Sequence, residues 1–157
     1  MIKIRKLNRQ LDYSKFNLDM TGFVNDNKIK SPTNYLMVTS IRERATYIYE
    51  KEFSTWNLLY KWSSTVGKPS TPTIKGIFGV GEKYPAITSE GSRVFVQYAT
   101  NIEGEYYYHS ILYDISTQEV YDDSLGVAIS HGCIRLATEY AEWIYYNIPE
   151  ETTIIIN

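Results

Sequence analysis

The chain holds one cysteine and two histidines, and all three fall between His109 and Cys133. Two of them lie in the run Ser130-His131-Gly132-Cys133-Ile134-Arg135. A thiol becomes a strong nucleophile only as thiolate, and its free pKa is about 8.5. A nearby imidazole, a positive charge and the start of a helix each favour the anion; Arg135 is two residues away and a helix is expected to open shortly after it. Gly132 lets backbone approach a substrate closely. Amides around Gly132 and Cys133 are placed to stabilise a tetrahedral oxyanion. A lone Cys otherwise serves as a small buried hydrophobe, but Gly, His and Arg neighbours make this position too polar for that.

Two chemistries compete for the histidines. As metal ligands, His109, His131 and Cys133 would form a three-ligand zinc site, yet no second Cys pair or His-Glu-X-X-His helix accompanies them. As a base, one imidazole must reach the thiol while a third group orients it. On an expected strand from Tyr106 to Tyr113, His109 shares a face with Tyr107, Ile111 and Tyr113, so a strand would deliver it to a loop carrying Cys133. The run Tyr106-Tyr107-Tyr108 reads as packing rather than as a sugar platform.

The elements that must hold these groups are mostly short strands. Tyr35–Ile41 and Ala45–Lys51 flank the charged turn Arg42-Glu43-Arg44 as a hairpin, and Trp56–Trp62 follows. The Gly- and Pro-containing stretch from Val66 to Thr73 reads as an ordered loop. Ile77–Val80, Arg93–Thr100 and Tyr106–Tyr113 are further strands, the last two joined by a turn over Asn101–Gly104. One helix is clear: Ala137, Tyr140, Ala141, Ile144, Tyr145 and Ile148 form one apolar stripe. Thr138 suits its N-cap, Glu139 and Glu142 its positive end, and Pro149 its stop. Thr152–Ile156 closes the domain as a strand. The expected class is mainly β with one amphipathic helix packed on it after Cys133.

At 157 residues, 43% of them hydrophobic, the chain supports one core without disulfides. Of its 23 aromatic residues 15 are tyrosine, which suits half-buried strands. A net charge of −2 gives no general field for nucleic acid. Met1–Gln10 is basic, but no apolar run follows, so no signal peptide is expected. Charge-free stretches such as Ser124–Ile134 are far too short to span a bilayer. Residues 1–30 carry seven Lys/Arg against three Asp/Glu. They are expected to form a linker, or a strand or two outside the main core, with a boundary near Pro32. The division is an extension over residues 1–33 and a domain over residues 34–157.

The signature Ser130–Arg135 with an upstream His resembles that of the L,D-transpeptidase family, the YkuD-type catalytic domain. Thr71-Pro72-Thr73-Ile74-Lys75-Gly76-Ile77-Phe78 is similar to the family's Thr-Pro segment before a Gly-X-Phe strand, and Leu125-Gly126 also fits. The resemblance implies a β-sandwich or barrel-like fold, with Cys133 as nucleophile and His109 as base. It also implies a Ser110 main-chain carbonyl orienting the imidazole, and Ser130, His131 and Gly132 shaping the oxyanion and substrate side. Arg135 would brace the loop or contact a carboxylate. The implied reaction is peptidoglycan L,D-transpeptidation at an extracytoplasmic site, with no metal or organic cofactor. Peptide stems would serve as donor and acceptor and carbapenems as covalent inhibitors, with no nucleic-acid or protein partner. An L,D-carboxypeptidase using water, or a non-catalytic wall-binding module, are the alternatives. Three positions depart from the pattern: Tyr113–Ser124 is an insertion, Ser110 stands where Gly is frequent, and Ile74 replaces a second proline.

Overall fold

In a computed structural model, residues 10–157 are described. Among them the first half contributes α1 (Met20–Asp26), β1 (Tyr35–Ser40), β2 (Ala45–Glu52), β3 (Thr55–Ser63), β4 (Val66–Gly67), β5 (Gly76–Gly79) and β6 (Lys83–Ile87). The second half contributes β7 (Val94–Glu103), β8 (Tyr106–His109), β9 (Leu112–Asp114), β10 (Val120–Asp122), β11 (Ala128–Ser130), β12 (Ile134–Arg135), α2 (Thr138–Asn147) and β13 (Thr153–Ile156). The architecture is mainly β. One sheet has five strands in the order β3-β2-β1-β13-β5. A second, curled sheet runs β10-β9-β7-β8-β12, with β6 on the other side of β7, and β4 pairs with β11.

Alternation of side chains explains why the five-stranded sheet is covered on both faces. Met37 of β1 and Ile154 and Ile156 of β13 point into a core shared with Tyr108, Ile134, Leu136 and the α2 residues Ala141 and Ile144. Their neighbours Leu36, Val38 and Ile155 point the opposite way, against Phe16, Met20, Phe23 and Val24. The first of these cores ties the sheet to the strands that carry Cys133 and His109.

The segment read from sequence as a linker or strands thus contains a helix whose apolar side, Met20, Phe23 and Val24, is buried. Asp19 caps it, accepting from the Gly22 amide at 2.9 Å. Its seven residues are too few for periodicity to stand out against the surrounding charge. The basic start of the chain, from Lys3 to Arg9, lies outside the described residues.

Two further expectations change. The strand from Tyr106 to Tyr113 is broken at Ser110-Ile111 into β8 and β9. The cap of α2 is Ala137 rather than Thr138, whose hydroxyl instead meets Tyr113 Oη at 2.6 Å. The other end of α2 is closed by Lys83, whose ammonium donates to the Tyr145 carbonyl at 2.7 Å, to Ile144 at 3.3 Å and also to Ile148. A cation on the C-terminal carbonyls of a helix is stabilising. Lys83→Met is therefore expected to lower unfolding stability by about 1–2 kcal/mol in a denaturant titration.

Candidate active site

β12 lies parallel beside β8, with Ile134 opposite Tyr108 and Arg135 opposite His109. The Leu136 amide extends the pairing by donating to the His109 carbonyl at 2.9 Å. Cys133 immediately precedes β12, so its thiol reaches the start of β8. The half-buried sulfur approaches the Glu105 carbonyl at 3.5 Å and accepts from the Tyr107 amide. The imidazole sits at the end of the same strand. Cys133 stands at the head of β12 and His109 at the end of the adjacent β8, and among the described residues no hydrogen bond joins them.

His109 is only 7% exposed, and its Nδ1 lies 2.7 Å from the main-chain oxygen of Ser110. A carbonyl only accepts, so Nδ1 carries the proton and Nε2 presents the lone pair, the tautomer a general base needs. Burial pulls the imidazole pKa down to about 4; the Ser110 bond opposes this, and the Arg135 charge adds to it. Burial also raises the Cys133 thiol, despite the Tyr107 amide. The resting site therefore holds neutral thiol and neutral imidazole. The sequence suggested a stabilised thiolate, but α2 opens only at Thr138 and the Arg135 charge is turned to another partner.

The signature loop is held by its own serine. The Ser130 hydroxyl accepts from the Gly132 amide at 3.1 Å and donates to the Cys133 carbonyl at 2.6 Å. The Ser130 carbonyl accepts from the Lys68 amide at 3.0 Å and the Thr71 hydroxyl at 2.8 Å. The Thr73 hydroxyl in turn accepts from the Gly67 amide at 2.9 Å. The Thr-Pro segment thus braces the Cys133 loop from outside it. Gly132 adopts φ +120°, and a Cβ there would meet the Tyr106 ring at 2.7 Å, so glycine is required. Its amide is committed to Ser130. His131 is exposed. Among the described residues no three His, Cys, Asp or Glu side chains converge as a metal set; the two histidines and Cys133 are spread along β8 and the loop before β12.

Arg135 is buried and bonds Asp122 Oδ2 at 3.2 Å and the Ser124 carbonyl at 3.3 Å through Nη1. Its Nε is left without a partner. The segment from Tyr113 to Ser124, expected from the sequence to be an insertion, forms the hairpin β9–β10 and supplies that carboxylate. Hydrogen bonds from Ser124 and the Arg135 charge hold the Asp122 carboxyl below its ordinary pKa. Asp122 gives no signal in the sequence, because its partner is thirteen residues away and the pair is recognisable only once both strands are placed. Removing one partner leaves the other charge buried and uncompensated. Because Asp122 is 29% exposed, Asp122→Ala is expected to cost about 2 kcal/mol, below the value for a fully buried pair, in thermal or denaturant unfolding.

A loop bearing the chain's one cysteine, set against a strand that ends in a carbonyl-held imidazole, is the site geometry, and the family follows. Residues 34–156 match the L,D-transpeptidase catalytic domain (YkuD), and the chain belongs to this family. A putative L,D-transpeptidase, YciB, of Bacillus subtilis (strain 168) is 32% identical over 126 residues, covering 75% of this chain and 63% of that protein. A solved structure from Clostridium acetobutylicum ATCC 824 is described as a fused Zn-dependent amidase/peptidase/peptidoglycan-binding domain-containing protein. It superposes with TM-score 0.70 at 33% identity, covering 95% of this chain and 65% of that one. The L,D-transpeptidase LdtMt1, solved in complex with imipenem, shares the fold with TM-score 0.63 at 22% identity, over 79% of this chain and 59% of that one. The chain thus spans a little under two thirds of the length of the first two relatives.

Proposed function

We propose that the chain is a peptidoglycan L,D-transpeptidase working through a thioester on Cys133. The observation that carries this reading is the His109 imidazole fixed through Nδ1 on the Ser110 carbonyl, on the strand that runs beside Cys133. In this reading His109 Nε2 takes the thiol proton as sulfur attacks the carbonyl of the L-centre in a donor tetrapeptide stem. The Cys133 amide meets the developing oxyanion, since the Gly132 amide is held by Ser130. Collapse expels the terminal D-amino acid, which leaves with the proton from His109. An amine of an acceptor stem then attacks the thioester and regenerates the thiol, giving a 3-3 type cross-link. No cofactor takes part in these steps. His131 and Gly132 line the substrate side, and Arg135 braces the loop through Asp122. The setting proposed is the cell wall; no helix among the described residues is long and apolar enough to cross a membrane.

Incubation with purified disaccharide-tetrapeptide tests this, with mass analysis of protein and products. A cross-linked dimer lacking one terminal D-amino acid is expected, along with an acylated chain. Disaccharide-tripeptide without dimer would assign the carboxypeptidase reaction instead. Unchanged substrate and unmodified protein would reduce the chain to a wall-binding module.

A further inference from the structure

Tyr98 stands in the middle of β7 with φ +52°, a left-handed conformation that a bulky side chain rarely adopts. Around it the pairing of β7 changes. Val94 and Phe95 face β9, whereas Thr100 and Asn101 face Tyr108 and Tyr107 of β8. Between these stretches the Ser110 amide donates to the Gln97 carbonyl at 3.0 Å. The pairs on either side share one register, so this bond marks a local displacement of the ladder by one residue beside His109. On its other side Tyr98 faces Pro85, which has no amide to offer. The Tyr98 ring is anchored on α2, with centroids 5.5 Å from Tyr145 and 6.1 Å from Tyr146.

A regular antiparallel pair would return the Gln97 amide to the Ser110 carbonyl. Here that amide donates to the Ser110 hydroxyl at 2.8 Å, and the hydroxyl passes its own proton to the Ile111 carbonyl at 2.7 Å. The Ser110 carbonyl is thereby released from the sheet, and it is the group that holds His109 Nδ1. Ser110 is fully buried, so no water competes for either role.

We infer that the left-handed turn at Tyr98 and the Ser110 hydroxyl are positioning groups, which free the Ser110 carbonyl to hold His109 in its base tautomer. This rests on the proposed role of His109 as the base. The hydroxyl acts as a substitute carbonyl for the ladder, a task that a glycine at this position would leave undone. The left-handed turn at Tyr98 accompanies the local one-residue displacement that sets Gln97 against Ser110. Neither side chain meets the substrate.

The test reads the His109 tautomer directly by nitrogen-15 NMR of the imidazole at neutral pH, alongside the rate of imipenem acylation. The intact chain is expected to show protonated Nδ1 and unprotonated Nε2. Ser110→Ala returns the carbonyl to the Gln97 amide, so a mixed population with protonated Nε2 is expected and acylation falls roughly 10- to 100-fold. Tyr98→Val, which is stiff and disfavours φ > 0, is expected to act in the same direction, whereas Tyr98→Asn, which tolerates it, keeps the tautomer. If Tyr98→Val does not fold, Ser110→Ala and Tyr98→Asn decide. An unchanged tautomer in Ser110→Ala overturns the inference. A lost tautomer in Tyr98→Asn overturns the part given to the backbone turn. A shifted tautomer with undiminished acylation leaves the clamp standing and overturns the base reading of His109.

Discussion

Exposure to imipenem is expected to add the mass of one drug molecule to the wild-type chain and nothing to Cys133→Ala. The β-lactam carbonyl is a strained acyl donor. Sulfur bonds to its carbon, the lactam C–N bond breaks, the nitrogen takes the proton removed from the thiol, and the drug stays attached as a thioester. Cys133 is the chain's one thiol, and it sits half-buried at the head of β12 rather than in either core. Its truncation to Ala is expected to change stability by about 1 kcal/mol or less, so the variant remains folded and the comparison is clean. Intact-protein mass spectrometry reads the result. A mass gain in Cys133→Ala equal to that of wild type would sink the Cys133 thioester mechanism.

The second large effect belongs to His109. At pH 7 His109→Ala is expected to slow acylation about 10²- to 10⁴-fold while the chain still binds donor. The pH dependence carries the sharper signature. Because burial holds the imidazole near 4, it remains an unprotonated base through pH 5 and 6, where an ordinary histidine would already be charged. The wild-type acid limb should therefore lie well below pH 6, and a midpoint near 6.5 would contradict the buried neutral imidazole. In His109→Ala the residual rate should climb with pH as the thiol ionises unaided. Stability follows with a defined sign. Above about 6.5 His109 is neutral in both folded and unfolded chains and contributes no slope. As pH falls from about 6.5 toward 4 the unfolded chain takes up a proton that the folded site refuses, so stability drops across that window, by about 1.4 kcal/mol per unit. His109→Ala should abolish this part of the slope in urea titrations at pH 7, 6 and 5.

The residues that do the proposed chemistry are the ones the sequence displays most openly, because a lone Cys between His, Gly and Arg has few structural uses. The hairpin β1–β2, the long strands β3 and β7, the closing β13 and the apolar stripe of α2 were equally legible, since each carries its own period. What sequence did not reveal depends on pairs distant along the chain. Ser130 is visible within the signature, but not that its carbonyl receives Lys68 and Thr71. Arg135 is visible, but not Asp122, which only the β9–β10 hairpin brings to it. The strands β4, β10, β11 and β12 are two or three residues long, too short for alternation to be read. The break at Ser110 is hidden for another reason: the apolar and aromatic run around it continues as if the strand did, and the interruption comes from a hydroxyl replacing a carbonyl. The surroundings of Cys133 differ from those read in the sequence because burial raises the thiol, α2 opens only at Thr138 and the Arg135 charge is turned to Asp122.

The position of β13 in its sheet has a consequence for how the chain reaches its shape. Residues 153–156 lie between β1 and β5, parallel to the one and antiparallel to the other. During synthesis, then, the hairpin β1–β2 and strand β3 form early, but β5 has no neighbour in that sheet until residue 156 has left the ribosome. The isoleucines of β13 also supply both cores at once. Such a topology cannot be completed from the N-terminal side inward, and a nascent chain stopped short of residue 153 exposes the flanks of β1 and β5 to whatever binds open strands. Until residues 153–156 enter that gap, β1 and β5 belong to no common sheet.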